Sequence, residues 1–292
     1  YSPFHGCTLF MTFFRTLILS LFSLIVALIG ATVLAVVGAA IYFSPGLPDV
    51  RQLQDFELHT PLRIFTNDGK LIGEFGEERR MPVDFADIPQ DMINALIAAE
   101  DANYFDHAGV DPRGIARAAV ELAQSGGTIQ SGGSTITMQV ARNFFLSRRK
   151  TYSRKLNEIL LAIKIDQALS KEKILELYFN KIFFGNRAYG IAAAAHVYYG
   201  KPLKQLTLAQ MAMLGGIPKA PSSLNPLSHT DRALKRRNHV LARMLEEKYI
   251  DQNTYNTTIN IPLTAKYHGH TTAIQAPYVA EMIRKEMLSR HP

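Results

Sequence analysis

The chain has 292 residues, a formal net charge of +7 and a single cysteine, Cys7. One cysteine excludes a disulfide framework and a cysteine-based metal centre. The positive balance points to anionic partners. With no zinc-finger spacing and no aromatic-basic motif of the RNA-binding kind, membrane head groups and phosphorylated substrates stand ahead of nucleic acid.

The length suits one large domain or two modest ones. The first methionine is Met11, and an amphipathic pattern runs to Pro292, so a piece of a longer protein is expected. Residues 1–15 read as a cytoplasmic segment. From Thr16 to Ser44 there is no charged residue. That run exceeds the roughly 20 apolar residues that cross a hydrocarbon core, so residues 16–43 are predicted to be a transmembrane helix. A cleaved signal peptide fits less well, because its apolar core is about half as long. Arg15 before the run and Asp49 after it place the N-terminus in the cytoplasm and the remainder outside. Residues 44–60, with proline, glycine and polar side chains, read as a linker.

Beyond the linker, two β-type runs flank Asn67-Asp68-Gly69, a hairpin signal. Residues 87–100 are expected to be a helix, with Pro89 near its start and Met92, Ile93, Leu96 and Ile97 as its apolar stripe. Further helices are predicted over residues 153–169, 171–180, 208–214, 231–248 and 277–288, while Gly126, Gly127, Gly132 and Gly133 flank a flexible stretch. The expected fold is mainly α, with a small β-hairpin at its start. Residues 61–250 form the main domain, and residues 251–292 a linker and helix leading away from it.

Three constellations carry chemistry. In the first, Glu100, Asp101, Asp106 and His107 crowd the end of an apolar helix. A carboxyl that follows Leu96, Ile97, Ala98 and Ala99 is partly shielded from water, which raises its pKa toward the range useful for proton transfer. Solvated charge at a helix end describes the same residues. In the second, Gly132 and Gly133 lead into Ser134 and Thr135 and then a helix, an arrangement that can meet an anion or merely cap the helix. Gln139 and Arg142 share one face of that helix. In the third, Arg154 and Lys155 lie four and three residues before Glu158. This is either a surface salt-bridged turn or a cationic clamp oriented by a carboxylate. Ser147-x-x-Lys150 and Ser223-x-Asn225 imitate penicillin-reactive motifs, but no Lys-Thr-Gly exists in the chain, which removes that chemistry.

In order and spacing these constellations resemble the glycosyltransferase domain of class A penicillin-binding proteins, which polymerise peptidoglycan from lipid II. The pattern Glu-Asp-x-x-Phe-x-x-His-x-Gly appears as Glu100–Gly109, Gly-Ser-Thr-Ile-Thr-Gln-Gln as Gly133–Gln139, Arg-Lys-x-x-Glu as Arg154–Glu158, and Lys-x-x-Ile-Leu-Glu-x-Tyr-x-Asn as Lys171–Asn180. Gly216–Pro221, Asn225-Pro226 and Arg236-Arg237-Asn238 also fit. Asn143–Ser147 and Tyr189-Gly190 are similar to the 1A type. The likeness covers about residues 61–290 together with the N-terminal anchor.

The resemblance implies a lysozyme-like helical domain, inner-membrane attachment and a periplasmic catalytic site. It implies β-1,4 bond formation with inversion and release of undecaprenyl pyrophosphate. It assigns Glu100 as base and Glu158 as the second catalytic carboxylate. Arg142, Arg154 and Lys155 would face the leaving pyrophosphate. Asp101, Ser134, Thr135, Gln139 and Arg237 are the further substrate-binding candidates. No obligatory cofactor is implied, although Glu158 is a candidate to hold Mg2+ or Mn2+ on the pyrophosphate. Partners are lipid II, the growing glycan strand and the membrane, with Phe144-Phe145-Leu146 and Arg148, Arg149 and Lys150 either meeting that membrane or packing in the core. Nucleic acid is not expected.

The sequence departs from the pattern in three places: Tyr104 replaces Phe, Met138 replaces the first Gln, and Arg142 replaces Lys. The transpeptidase half is absent, so no covalent penicillin binding is expected. A lysozyme-like lytic enzyme is the nearest rival reading, distinguished by the cations that hydrolysis of a glycan does not need. A non-catalytic scaffold for cell-wall assembly is the third.

Overall fold

The computed structural model describes residues 47–54, 62–75, 79–126, 133–146, 152–269 and 276–290, and scattered positions between 15 and 38. The chain divides into two units, Tyr1–Pro48 and Asp49–Pro292. In the first, the assigned positions between Arg15 and Gly38 are helical, and Leu19, Phe22, Leu24 and Leu34 expose more than half of their surface. Among the described residues no helix is long and apolar enough to cross a membrane. Part of the expected span, and the basic run Arg148–Lys150, lie outside the described residues.

The second unit is mainly helical. Strands β1 (Leu62–Phe65) and β2 (Leu71–Phe75) form the expected antiparallel hairpin, with Ile64 opposite Gly73. Its turn closes through Gly69, whose φ of 79° suits glycine in a tight reversal. Asp49 caps a 3-10 turn at Val50–Leu53 whose Leu53 is buried, so the stretch expected as linker holds local structure. A second, parallel pair, β3 (Arg79–Arg80) with β4 (Ala188–Tyr189), has no counterpart among the expected elements. Two-residue strands leave no periodicity to read.

Ten helices follow among the described residues: α1 (Gln90–Glu100), α2 (Pro112–Gln124), α3 (Ile136–Phe145), α4 (Tyr152–Ala168), α5 (Lys171–Lys181), α6 (Ile191–Tyr199), α7 (Leu208–Gly216), α8 (Thr230–Glu246), α9 (Gln252–Ile259) and α10 (Pro277–Arg290). Helix α1 starts three residues later than expected: Phe85–Asp87 instead makes a separate 3-10 turn, and extended Pro89 breaks the run before Gln90. Other helix ends carry their own stop and start signals. Asp111, Thr135, Ser170, Thr207 and Asp251 each accept a backbone N–H at a helix start, and Thr207 with Gln210 completes a capping box.

Helices α1, α7 and α8 pack as a trio around Ala95, Ala98, Ala212, Val240, Leu241 and Met244. Small residues at the contact let the backbones approach closely: a Cβ on Gly215 would lie 3.2 Å from the carbonyl carbon of Ala95. Met92, Leu96 and Ile97 are at most 1% exposed, each contributing about 1.5–3 kcal/mol through burial. The C-terminus of α1 is thereby held inside the domain.

The segment expected to lead away from the domain instead packs back on it. Lys266 and His268 donate backbone N–H groups to Tyr198 and Val197, α9 contacts α8, and Ala280 of α10 is buried against Gly73 of β2.

Candidate active site

Helix α1 delivers Glu100 to the wall of a cavity of about 330 Å³. The carboxylate is 12% exposed. Its Oε1 accepts from Arg236 Nη2 at 3.1 Å and its Oε2 accepts from Gln139 Nε2 at 3.2 Å. Burial pushes the Glu100 carboxyl up from the usual carboxylate range, while Arg236, Gln139 and Lys219 pull it back. Burial likewise lowers the Arg236 guanidinium against the pull of Glu100. For the carboxyl, loss of water outweighs the attraction of these partners, while the guanidinium stays charged.

Asp101 lines the same cavity. Its carboxylate accepts from Ile136 N at 2.9 Å and from His107 Nε2 at 3.0 and 3.1 Å, which ties the loop after α1 to the start of α3. Since the carboxylate is the acceptor, His107 carries its proton on Nε2, and its buried Nδ1 has no partner among the described residues. Thr135 is also consumed structurally: its hydroxyl donates to Gly109 O at 2.6 Å and accepts from Met138 N at 3.1 Å. Asp101 and Thr135, expected as substrate contacts, both line the cavity and also serve as loop tie and helix cap. Met138 is fully buried, so its change from glutamine leaves the cavity wall untouched.

Ser134 does line the cavity, and its Oγ accepts from Lys155 Nζ at 2.6 Å. Lys155 also reaches Glu158 Oε2 at 3.2 Å, and Arg154 pairs with the other oxygen of Glu158. Glu158 is 1% exposed while Lys155 is 42% and Arg154 18% exposed, so the carboxylate is an internal support that pairs with one outward and one largely buried cation. With both oxygens already neutralised by cations, Glu158 does not fit a divalent ion. Among the described residues no group of three or more His, Cys, Asp or Glu suits a metal. Arg142, half-buried one turn beyond Gln139, acts electrostatically on the Tyr178 hydroxyl.

The residues of α5 support this arrangement. Lys171 Nζ donates to His107 O at 2.6 Å and to Asp166 Oδ1 at 2.5 Å, and lies 4.8 Å over the Tyr104 ring. Tyr104 OH donates to Lys171 O at 2.8 Å, a bond that phenylalanine at this position lacks. Asn180 exchanges two bonds with the backbone of Val83.

Arg237, expected at the site, is not there. Its guanidinium is buried on the opposite side of α8, donating to Ile259 O at 2.8 Å, Ile261 O at 2.5 Å and the Asn238 side chain. The residue in the cavity is Arg236. The signal was available: Arg236, His239 and Arg243, spaced three and four apart, share a helical face, and all three line the cavity. Lys219, on the turn after α7, was also missed as a site residue because it is alone in sequence.

A helical domain that shelters one carboxylate among fixed cations has the make-up of an acid–base enzyme for a polar, anionic substrate. The model of the family described as Transglycosylase matches residues 68–245, and the chain belongs to that family. It is similar to penicillin-binding protein 1A of Pseudomonas aeruginosa, 56% identical over 251 residues that cover 86% of this chain and 30% of that protein. The protein of the same name from Escherichia coli is 52% identical over 250 residues, covering 86% and 29%. A crystal structure of penicillin-binding protein 1A from Haemophilus influenzae is 36% identical, with a TM-score of 0.47, covering 81% of this chain and 25% of that one. The chain thus spans less than a third of the length of these relatives.

Proposed function

We propose that this chain is a peptidoglycan glycosyltransferase that extends a lipid-linked glycan strand from lipid II at the outer face of the inner membrane. The observation that carries the reading is Glu100: a shielded carboxylate with a raised pKa, open to a cavity ringed by cations. Glu100 removes the proton of the acceptor 4-hydroxyl, and that oxygen forms a bond to C1 of the donor sugar. The C1–phosphate bond breaks with its electron pair, so configuration inverts and the lipid pyrophosphate leaves with one more negative charge. In this reading Arg154, Lys155 and Arg142 stabilise that charge, and Ser134, which lines the cavity, holds Lys155 beside it. Gln139 serves through Glu100 rather than through the donor. The apolar run of residues 16–43 supplies the membrane anchor, with residues 1–15 cytoplasmic. The exposed leucines and phenylalanine of the first unit support a lipid neighbour.

Polymerisation of fluorescent lipid II in detergent or vesicles tests this. Glu100→Gln is expected to remain folded and to lose about a hundredfold or more in turnover. Residual activity above about a tenth of wild type would sink the base assignment. Shortening of preformed glycan strands by the wild-type protein would favour a lytic enzyme instead.

A further inference from the structure

We infer that Arg236 is a positioning residue for the reaction: it holds Glu100 ionised by binding Oε1 and leaves Oε2 as the oxygen that takes the acceptor proton. The inference rests on the reading of Glu100 as base. Arg236 is itself fixed. Its Nε donates to Gly216 O at 3.2 Å, and Nη2 is shared between Ala99 O at 3.4 Å and Glu100 Oε1 at 3.1 Å. Its side chain is 7% exposed. A planar guanidinium anchored on α7 and reaching the last turn of α1 locks the carboxylate's rotation as well as its charge. The other oxygen meets only the neutral Gln139 amide, so it keeps the more basic lone pair.

The remaining ionisable groups facing Glu100 are Lys219 on the turn after α7 and Tyr178 on α5. Next along α8 come His239 and Arg243, and Asp101 lines the same cavity while bonded to His107. Of the cations, Arg236 alone is shown within hydrogen-bond distance of the carboxylate among the described residues. Replacing Arg236 leaves a buried carboxylate whose proton is held more tightly.

The test is the pH dependence of kcat/KM for lipid II turnover in Arg236→Met and Arg236→Lys, with thermal unfolding of both in the wild-type and Glu100→Gln backgrounds. For Arg236→Met the deficit is expected to be about tenfold larger near about pH 6 than near about pH 8.5, and Arg236→Lys to regain most of it. The melting temperature should fall further in the Glu100 background than in Glu100→Gln, since only the former strands a buried charge. A deficit independent of pH, or equal thermal losses in both backgrounds, overturns the inference. If Arg236→Met does not fold, recovery of folding with Glu100→Gln supports the coupling, and failure in both backgrounds overturns it. The thermal arm needs no catalysis, so it stands or falls separately from the assignment of Glu100 as base.

Discussion

Glu100 sits at the last residue of an apolar helix, and its placement there has a thermodynamic cost. A carboxyl whose folded pKa lies above its unfolded value stabilises the fold fully only below the unfolded pKa, and that contribution is lost as pH rises through the folded value. Glu100→Gln is therefore expected to raise the melting temperature at neutral pH, with the gain shrinking as pH falls to the ordinary carboxylate range. Scanning calorimetry of the pair at several pH values checks the sign. Glu158 behaves differently, because it is matched by two cations and one of them is well exposed. Glu158→Gln should cost about 1–3 kcal/mol and weaken turnover by releasing Arg154 and Lys155 from their orientation. Unchanged turnover with lipid II would make Glu158 purely structural.

At the scale of elements, the loop after α1 depends on residues of α4 and α5 that lie outside the cavity lining. Gly109 has φ of 80°, and a Cβ there would overlap the carbonyl oxygen of Ala162 on α4. Gly109→Ala is expected to destabilise the domain by about 2–4 kcal/mol and to reduce turnover of the molecules that still fold. Urea unfolding, with activity normalised to the folded fraction, separates the two effects. Lys171 belongs to the same support, since it binds the carbonyl of His107 from the first turn of α5. The downstream helix thereby clamps the upstream loop.

At the scale of the molecule, Arg237 marks the division between fold and chemistry. It takes one carbonyl at the end of α9 and one just beyond it, and fastens that segment to α8. Arg237→Met should lower stability by about 1–3 kcal/mol, because two carbonyls lose a charged donor. It should leave turnover per folded molecule near wild type, which a melting curve paired with a lipid II assay will show. Substitution at Arg236 is expected to do the reverse, with the larger loss in turnover.

The sequence by itself determined the helical class, the hairpin and the limits of the helices it predicted, because apolar spacing and caps such as Ser170 and Thr207 act within a few residues, while the helices at Pro112–Gln124, Ile191–Tyr199 and Gln252–Ile259 were not read from it. It also singled out Glu100, Glu158, Arg154 and Lys155, whose spacing along single helices fixes their mutual geometry. The parallel β3–β4 pair and the return of residues 251–290 onto the domain were not legible, since they rest on contacts between distant segments. Nor was the choice of Arg236 over Arg237. Two adjacent arginines differ by about 100° around a helix, and only packing of α8 against α1 and α7 decides which of them meets the carboxylate and which becomes a clasp.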